Sequence, residues 1–332
     1  MRLVTQASER SDQGTEESIL TVLVAGAANL LIAAAKAGGA LISGSSALLS
    51  EAAHSLADTV TEVLLFVSLR RSGKPADVRH PLGYGREAYL WALLAAVATF
   101  VAGALVSIYE GTEKILHGGD LSHTGVAFAV LAVSFALEGG SFLRAARQVR
   151  GTARRYRVRP RTFLQETTDT AVRAVTFEDS AALVGLVLAA VGLGLSLITG
   201  NTLWDGLSSV LIGLLLVVIA VSLARANTSL LVGRSAPLGL DEALHAELES
   251  VPGVLSVPVF VTSVVGPRRL LVAAKVEFRD GCTTDDIERI ADESERRLVA
   301  RFPGIDYVFL DPTSNPDPGT RSGTGRADGR TG

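Results

Sequence analysis

One cysteine, Cys282, is present in 332 residues, which excludes an intrachain disulfide and any multi-cysteine metal site. Aromatic residues are scarce at 5%, and histidines number five. None of the five is followed by Glu, so the His-Glu-x-x-His string of metalloproteases is missing, as are Gly-x-Ser-x-Gly and the Walker A sequence. An intramembrane metal-dependent hydrolase, built on a His and carboxylate site with an open position, therefore has little sequence support. Residues 1–18 are polar and carry no basic stretch followed by a short apolar core and a cleavage site, so no signal peptide is expected. The net charge is only −3, and no nucleic-acid partner is expected.

Apolar residues, in contrast, are plentiful. They make up 48% of the chain, the mean hydropathy is +0.36, and they cluster into long runs. About 20 such residues cross a hydrocarbon core of about 30 Å. Six runs reach that length: 19–42, 46–69, 88–116, 124–145, 171–198 and 202–231. Gly, Ala and Ser are abundant inside them, and small residues let neighbouring helices approach closely, so a packed bundle in a lipid bilayer is expected. The fold expected is a polytopic α-helical membrane protein. A polar N-terminal tail (1–18) precedes a six-helix transmembrane domain (19–234). A small cytoplasmic α+β domain of ferredoxin-like type (235–312) and a disordered tail (313–332) follow.

The connections between the runs differ in charge. Arg70, Arg71, Lys74, Arg79 and Arg86 follow the second run, and Arg147, Arg150, Arg154, Arg155, Arg157, Arg159 and Arg161 follow the fourth. The turns near 43–45 and 199–201 contain no basic residue, and the third-to-fourth connection has only Lys114. The positive-inside rule puts both arginine-bearing loops and both termini in the cytoplasm, and the composition suits a bacterial inner membrane.

Beyond Arg234 the periodicity changes. A helix is expected near 241–250, strands near 254–264 and 270–278 around Gly266-Pro267, an amphipathic helix near 284–301 and a last strand near 307–310. A unit of fewer than about 80 residues has a small core and often leans on a partner, so dimerisation is expected. It carries 14 Asp and Glu against 8 Lys and Arg, and its single histidine is His245. Without a cluster of His and Cys, a metal site is not expected there.

Glu51, His54, Asp58 and Glu62 follow one another at steps of three, four and four residues inside the second run. On a helix they share one face. Ionisable groups within a span cost several kcal/mol unless they meet a partner, a cavity or an ion. The fifth run carries Glu178 and Asp179, adjacent positions about 100° apart, so one of them at most aims straight at the second run. His54, Asp58 and one of these carboxylates would form a nitrogen and oxygen site. Imidazole suits Zn²⁺, Fe²⁺, Co²⁺ or Ni²⁺, and carboxylates suit harder ions such as Mn²⁺. Glu51 and Glu62 are assigned to an entrance or a structural role. Asn29, Lys36, Glu110 and Glu138 are expected to pair with each other or to cap the bundle, and Asp205 to be an N-cap or first-turn acid of its own helix.

The segments 29–36 and 44–58, the latter reading GSSALLSEAAHSLAD, closely resemble the first two spans of the cation diffusion facilitator family. His80-Pro81-Leu82-Gly83-Tyr84-Gly85-Arg86-Glu87 resembles that family's loop before the third span. The resemblance covers residues 19–312. It implies a homodimeric exporter of divalent transition metals, most often zinc, driven by proton antiport. It also implies a transport site of two residues four apart on the second span and two four apart on the fifth. His54 and Asp58 match the first pair, and Asp179 matches the second member of the other. Val175, four residues earlier, cannot bind metal, which leaves three ligands, or a fourth from Glu178, water or another span. Asp77 and His80 match part of a loop metal site, with Tyr84 where a further histidine can occur. The competing reading, motivated by Val175, is a non-transporting membrane scaffold or partner subunit. No organic cofactor is expected; the metal is the transported substrate and protons the counter-ion.

Overall fold

The structure is a computed structural model that describes residues 29–155, 158–302 and 304–314. The expected tail 1–18, the start of the first apolar run and almost all of the tail 313–332 lie outside the described residues. The chain divides into two units between Val232 and Gly233.

Five helices of the first unit are long and apolar enough to cross a membrane. They are α2 (Ser46–Ser72), α3 (Glu87–His117), α4 (Thr124–Arg155), α6 (Thr170–Thr199) and α7 (Leu203–Val232). A shorter apolar helix, α1 (Asn29–Ser43), precedes them, and α5 (Pro160–Glu166) is a single short segment before α6. At 27 residues, α2 extends about 40 Å, enough to span the hydrocarbon. The six-span expectation rests on α1, whose sequence run begins before the described residues.

Short turns make neighbouring helices antiparallel. Gly44 turns α1 into α2 with a positive φ of 71°, a conformation open to glycine at little cost. Gly200 caps α6 in the left-handed region before α7 begins. The turns at Gly44, Gly118 and Gly200 lie at one end of the bundle, where Ser122 N–H bonds Ser43 O at 2.9 Å and Lys114 Nζ bonds Gly44 O at 2.8 Å. The arginine-bearing loops occupy the other end.

The bundle is apolar outside and partly polar within. Leu31, Val133 and Val218 are 71%, 61% and 65% exposed, while Lys36, Glu51 and Asp205 are fully buried. That inversion suits a lipid surround, where apolar side chains face hydrocarbon and polar groups satisfy one another inside. Ala47, Leu48, Leu131, Leu186, Leu193 and Ile212 build the apolar part of the interior. Helices α3 and α7 approach so closely that a Cβ at Gly111 would strike the backbone of Gly206 and Val210. Within α3, residues Thr99–Leu105 form a π-helical turn. Such turns interrupt the i to i−4 ladder and are frequent at functional sites.

The second unit is a two-layer α+β domain. It contains α8 (Leu238–Glu249), β1 (Val254–Gly266), β2 (Arg269–Phe278), α9 (Thr284–Arg301) and β3 (Ile305–Pro312). β1 and β2 pair antiparallel, with Val261 opposite Ala273, and β2 and β3 pair parallel, with Ala273 beside Phe309. The turn between β1 and β2 places Arg268 at φ 58°. Leu248 of α8 and Ile290 of α9 pack with Ala274 and Val276 of β2, so both helices cover one face of the sheet. Thr283 and Asp286 form a reciprocal capping box that starts α9.

Candidate cation site in the membrane spans

Helix α2 carries the four ionisable residues on one face, as the spacing requires, and each has a different neighbourhood. His54 is 1% exposed, and neither ring nitrogen has a hydrogen-bond partner. Its Nδ1 lies 3.5 Å from Asp58 Oδ1, which is itself buried and without a partner. The backbone of α3 closes in from above: a Cβ on Gly103, inside the π-helical turn, would contact Ala57 and approach the Cα of His54. No side chain of that residue intervenes between α3 and the histidine.

The two carboxylates of α6 diverge, in keeping with adjacent positions on a helix. Glu178, 7% exposed, accepts a hydrogen bond from Thr99 Oγ1 of α3 at 3.4 Å, and Thr99 in turn lies 3.4 Å from Thr61 Oγ1 of α2. Asp179 accepts a hydrogen bond from Ser141 Oγ of α4 at 3.1 Å. Both are electrically within reach of α2: Asp179 acts on His54 and Asp58, and Asp58 acts on Glu178. Val175 is 38% exposed and lines a cavity with Ala145, Gln148 and Thr176, on the α4 side of α6. Among the described residues, no group of three or more His, Cys, Asp or Glu is drawn together tightly enough to hold a metal ion. His54 and Asp58 stand side by side, and Glu178 and Asp179 flank them without converging.

Glu51, expected at an entrance or in a structural role, is fully buried and ion-paired with Lys36 of α1 at 3.0 Å. Lys36 also contacts Glu138 of α4 at 2.6 Å and Ser55 Oγ at 2.9 Å, so the expected pairing of Lys36 with Glu138 is present. Glu62 accepts a hydrogen bond from Asn29 Nδ2 at 2.8 Å. Asp205 is the expected first-turn acid of its own helix and has a second role. It lies in the first turn of α7, yet its carboxylate caps a different helix, α2, accepting from Ser46 N–H at 2.7 Å, Ser46 Oγ at 3.0 Å and Ser45 Oγ at 2.6 Å. Burial of the Gly44 end brings the two helix starts together, and the carboxylate satisfies whichever amide is closest.

In the loop after α2, Asp77 is an internal cap. Its carboxylate accepts from the backbone N–H of Arg79 and His80 at 2.9 and 2.7 Å and from the Tyr84 hydroxyl at 2.7 Å. The Tyr84 hydroxyl foremost, with those amides, holds the Asp77 carboxyl below its usual range, and the same bond pushes the Tyr84 hydroxyl up. His80 Nδ1 lies 3.4 Å from Asp77, and both side chains are about half exposed. His245 rests against the Phe260 ring, with 5.2 Å between ring centres.

Sequence reasoning missed Ser141 as the partner of Asp179, the Lys36 to Glu51 pair and the π-helical turn. Spacing within one helix signals neither of the first two, because both contacts run between helices. The turn around Gly103 has no sequence signature that would have revealed it.

A family model of the cation efflux transmembrane domain matches residues 22–232. The chain is 34% identical over 235 residues to the mitochondrial proton-coupled zinc antiporter SLC30A9 of Xenopus laevis, covering 71% of this chain and 42% of that protein. It is 30% identical over 313 residues to metal tolerance protein C4 of Arabidopsis thaliana, covering 92% of this chain and 67% of that one. It is 26% identical over 275 residues to the cation-efflux pump FieF of Serratia proteamaculans, covering 82% and 85%. The chain thus spans about two fifths of the length of the SLC30A9 relatives it matches. The match across the spans, together with buried ionisable side chains on α2 and α6, makes this multi-pass membrane chain a member of the cation efflux family, the cation diffusion facilitators.

Proposed function

We propose that the chain exports divalent transition-metal cations, zinc foremost, in exchange for protons. It works as a homodimer in a cell (inner) membrane with both termini and both arginine-bearing loops in the cytoplasm. The observation that carries this reading is His54. An imidazole that is 1% exposed and has no hydrogen bond at either nitrogen, with only the Asp58 carboxylate 3.5 Å away and itself without a hydrogen bond at that oxygen, is a costly arrangement in a span unless a cation visits it. His54, Asp58 and Asp179 are the proposed ligands, with Glu178 completing the set as helices α2 and α6 close on the ion. Metal ligands must be deprotonated, so loading releases protons and acid weakens binding. Histidine is the natural proton carrier, since its unperturbed pKa of about 6.5 lies in the working range. The name of the SLC30A9 relatives supports both zinc and proton coupling.

A panel of Zn²⁺, Mn²⁺, Fe²⁺, Co²⁺ and Cd²⁺, offered to the full chain in proteoliposomes under an imposed proton gradient, tests the proposal. Zn²⁺ flux accelerated by acid on the Gly44 side is the expected result. Absence of flux for every ion would favour the scaffold reading that Val175 motivates.

A further inference from the structure

The Lys36 cluster is not used by the transport site described above, and its placement is specific. Glu51 lies one turn nearer the Gly44 end than His54 on α2. Glu138 lies one turn nearer that end than Ser141, the partner of Asp179, on α4. Lys36 of α1 bridges the two at 3.0 and 2.6 Å. On α6, Gly185 leaves room for the cluster, since a Cβ there would collide with Glu51 Oε1. The three side chains therefore lie in the bundle interior between the candidate ligands and the Gly44 end.

The cluster is also incompletely satisfied. Two carboxyl groups face one ammonium. Glu51 Oε1 and Glu138 Oε2 are buried without any hydrogen-bond partner, although both lysine contacts use the other oxygen of each carboxylate. A clamp serving stability alone would be expected to fill those lone pairs, because buried ions stabilise only when fully hydrogen-bonded. Lysine is a compact charge on a flexible stem, suited to leaving one partner for another.

We propose that Glu51 and Glu138 form a second cation station between His54 and the Gly44 end, with Lys36 as its tethered occupant. The ammonium holds the carboxylates between passages and yields them to a divalent ion in transit. The positive charge of Lys36 keeps the station shallow. A pathway needs sites that bind well enough to admit an ion and weakly enough to release it. Two carboxylates alone would form a trap. This inference rests on the proposed export function, and its test separates the two.

Equilibrium Zn²⁺ binding to the full chain in nanodiscs, and Zn²⁺ flux in proteoliposomes, are compared for the wild type, Lys36→Gln and Glu51→Gln. Lys36→Gln is expected to bind one further Zn²⁺ per chain, and about tenfold more tightly than the station does in the wild type. It should pass Zn²⁺ about tenfold more slowly because the station holds the ion. Adding Glu51→Gln to Lys36→Gln should remove the additional Zn²⁺. If Lys36→Gln does not fold, Glu51→Gln, which retains the Lys36 to Glu138 pair, should fold and slow flux about tenfold with no change in the number of ions bound. Folded Glu51→Gln with wild-type flux, or folded Lys36→Gln with neither additional Zn²⁺ nor slower flux, overturns the station. A wild type without flux refutes export instead, and the binding comparison then still decides whether the station exists.

Discussion

Two buried polar clusters on the same helix are treated in opposite ways. At the start of α2, both oxygens of Asp205 are filled by Ser45, Ser46 and the Ser46 amide, and its own N–H is bonded to Ser196 Oγ at 3.0 Å. Two turns further along, His54 and Asp58 keep three polar atoms without a hydrogen bond, both ring nitrogens and Asp58 Oδ1, with only the 3.5 Å approach of Nδ1 to Oδ1 between them. A polar group inside a span that is fully hydrogen-bonded contributes to structure; one left without partners at comparable burial costs stability and persists for another reason. The difference teaches that burial of a charge alone does not mark a site. The unfilled coordination around it does.

The comparison can be broken in several ways. The largest effect is on flux: His54→Ala and Asp179→Ala should each lower Zn²⁺ flux by about a hundredfold or more, since even a group supporting a ligand costs up to that factor. His54→Ala removes two buried nitrogens that lack hydrogen bonds and should leave the unfolding temperature close to the wild-type value, whereas Asp179→Ala also takes the acceptor from the Ser141 hydroxyl and should lower it slightly. The reverse holds for Asp205→Ala. It strips the acceptors from two hydroxyls and a backbone amide and should destabilise the bundle by about 2–5 kcal/mol, read as a lower unfolding midpoint. Loss of flux from Asp205→Ala at full stability would erase the distinction.

A smaller effect sharpens the site's chemistry. His54→Asp exchanges a nitrogen for an oxygen donor and should move the preference between Zn²⁺ and Mn²⁺ about tenfold towards Mn²⁺ in competitive flux. The smallest effect belongs to the loop. Tyr84→Phe removes the main bond that holds the Asp77 carboxyl low, so its titration should move up towards the ordinary value of about 3.9, followed by NMR. Because the folded value is depressed, Asp77 supports the loop above the unfolded value, and that support fades as pH falls through the folded one. Flux at neutral pH should be unchanged.

Much of this was legible in the sequence. The apolar runs gave the helices because about 20 residues are needed whichever neighbours they pack against. The α+β unit followed from period-two runs around Gly266-Pro267 and a 3.6-period helix after it. On α2 the shared face of Glu51, His54, Asp58 and Glu62 follows from spacing alone. What spacing cannot supply is lateral packing. Spacing places Asp205 in the first turn of its own helix, where it is found, but does not show that its carboxylate also accepts from the Ser46 amide of α2. The divergence of Glu178 and Asp179 was expected, but which one reached α3 and which α4 depended on the rotation of α6. For Glu51, spacing gives the helix face but not the partner, Lys36 of α1, which lies on another helix.

The most direct test of the central claim, that the unpartnered pair on α2 receives the cation, is gradient-driven Zn²⁺ flux through Asp58→Asn in proteoliposomes, normalised to folded protein. The substitution keeps the shape, removes the charge and replaces one acceptor oxygen with an amide donor. The account predicts that flux, and its acceleration by acid on the Gly44 side, both disappear while the unfolding midpoint stays at the wild-type value. Wild-type flux through folded Asp58→Asn would contradict it.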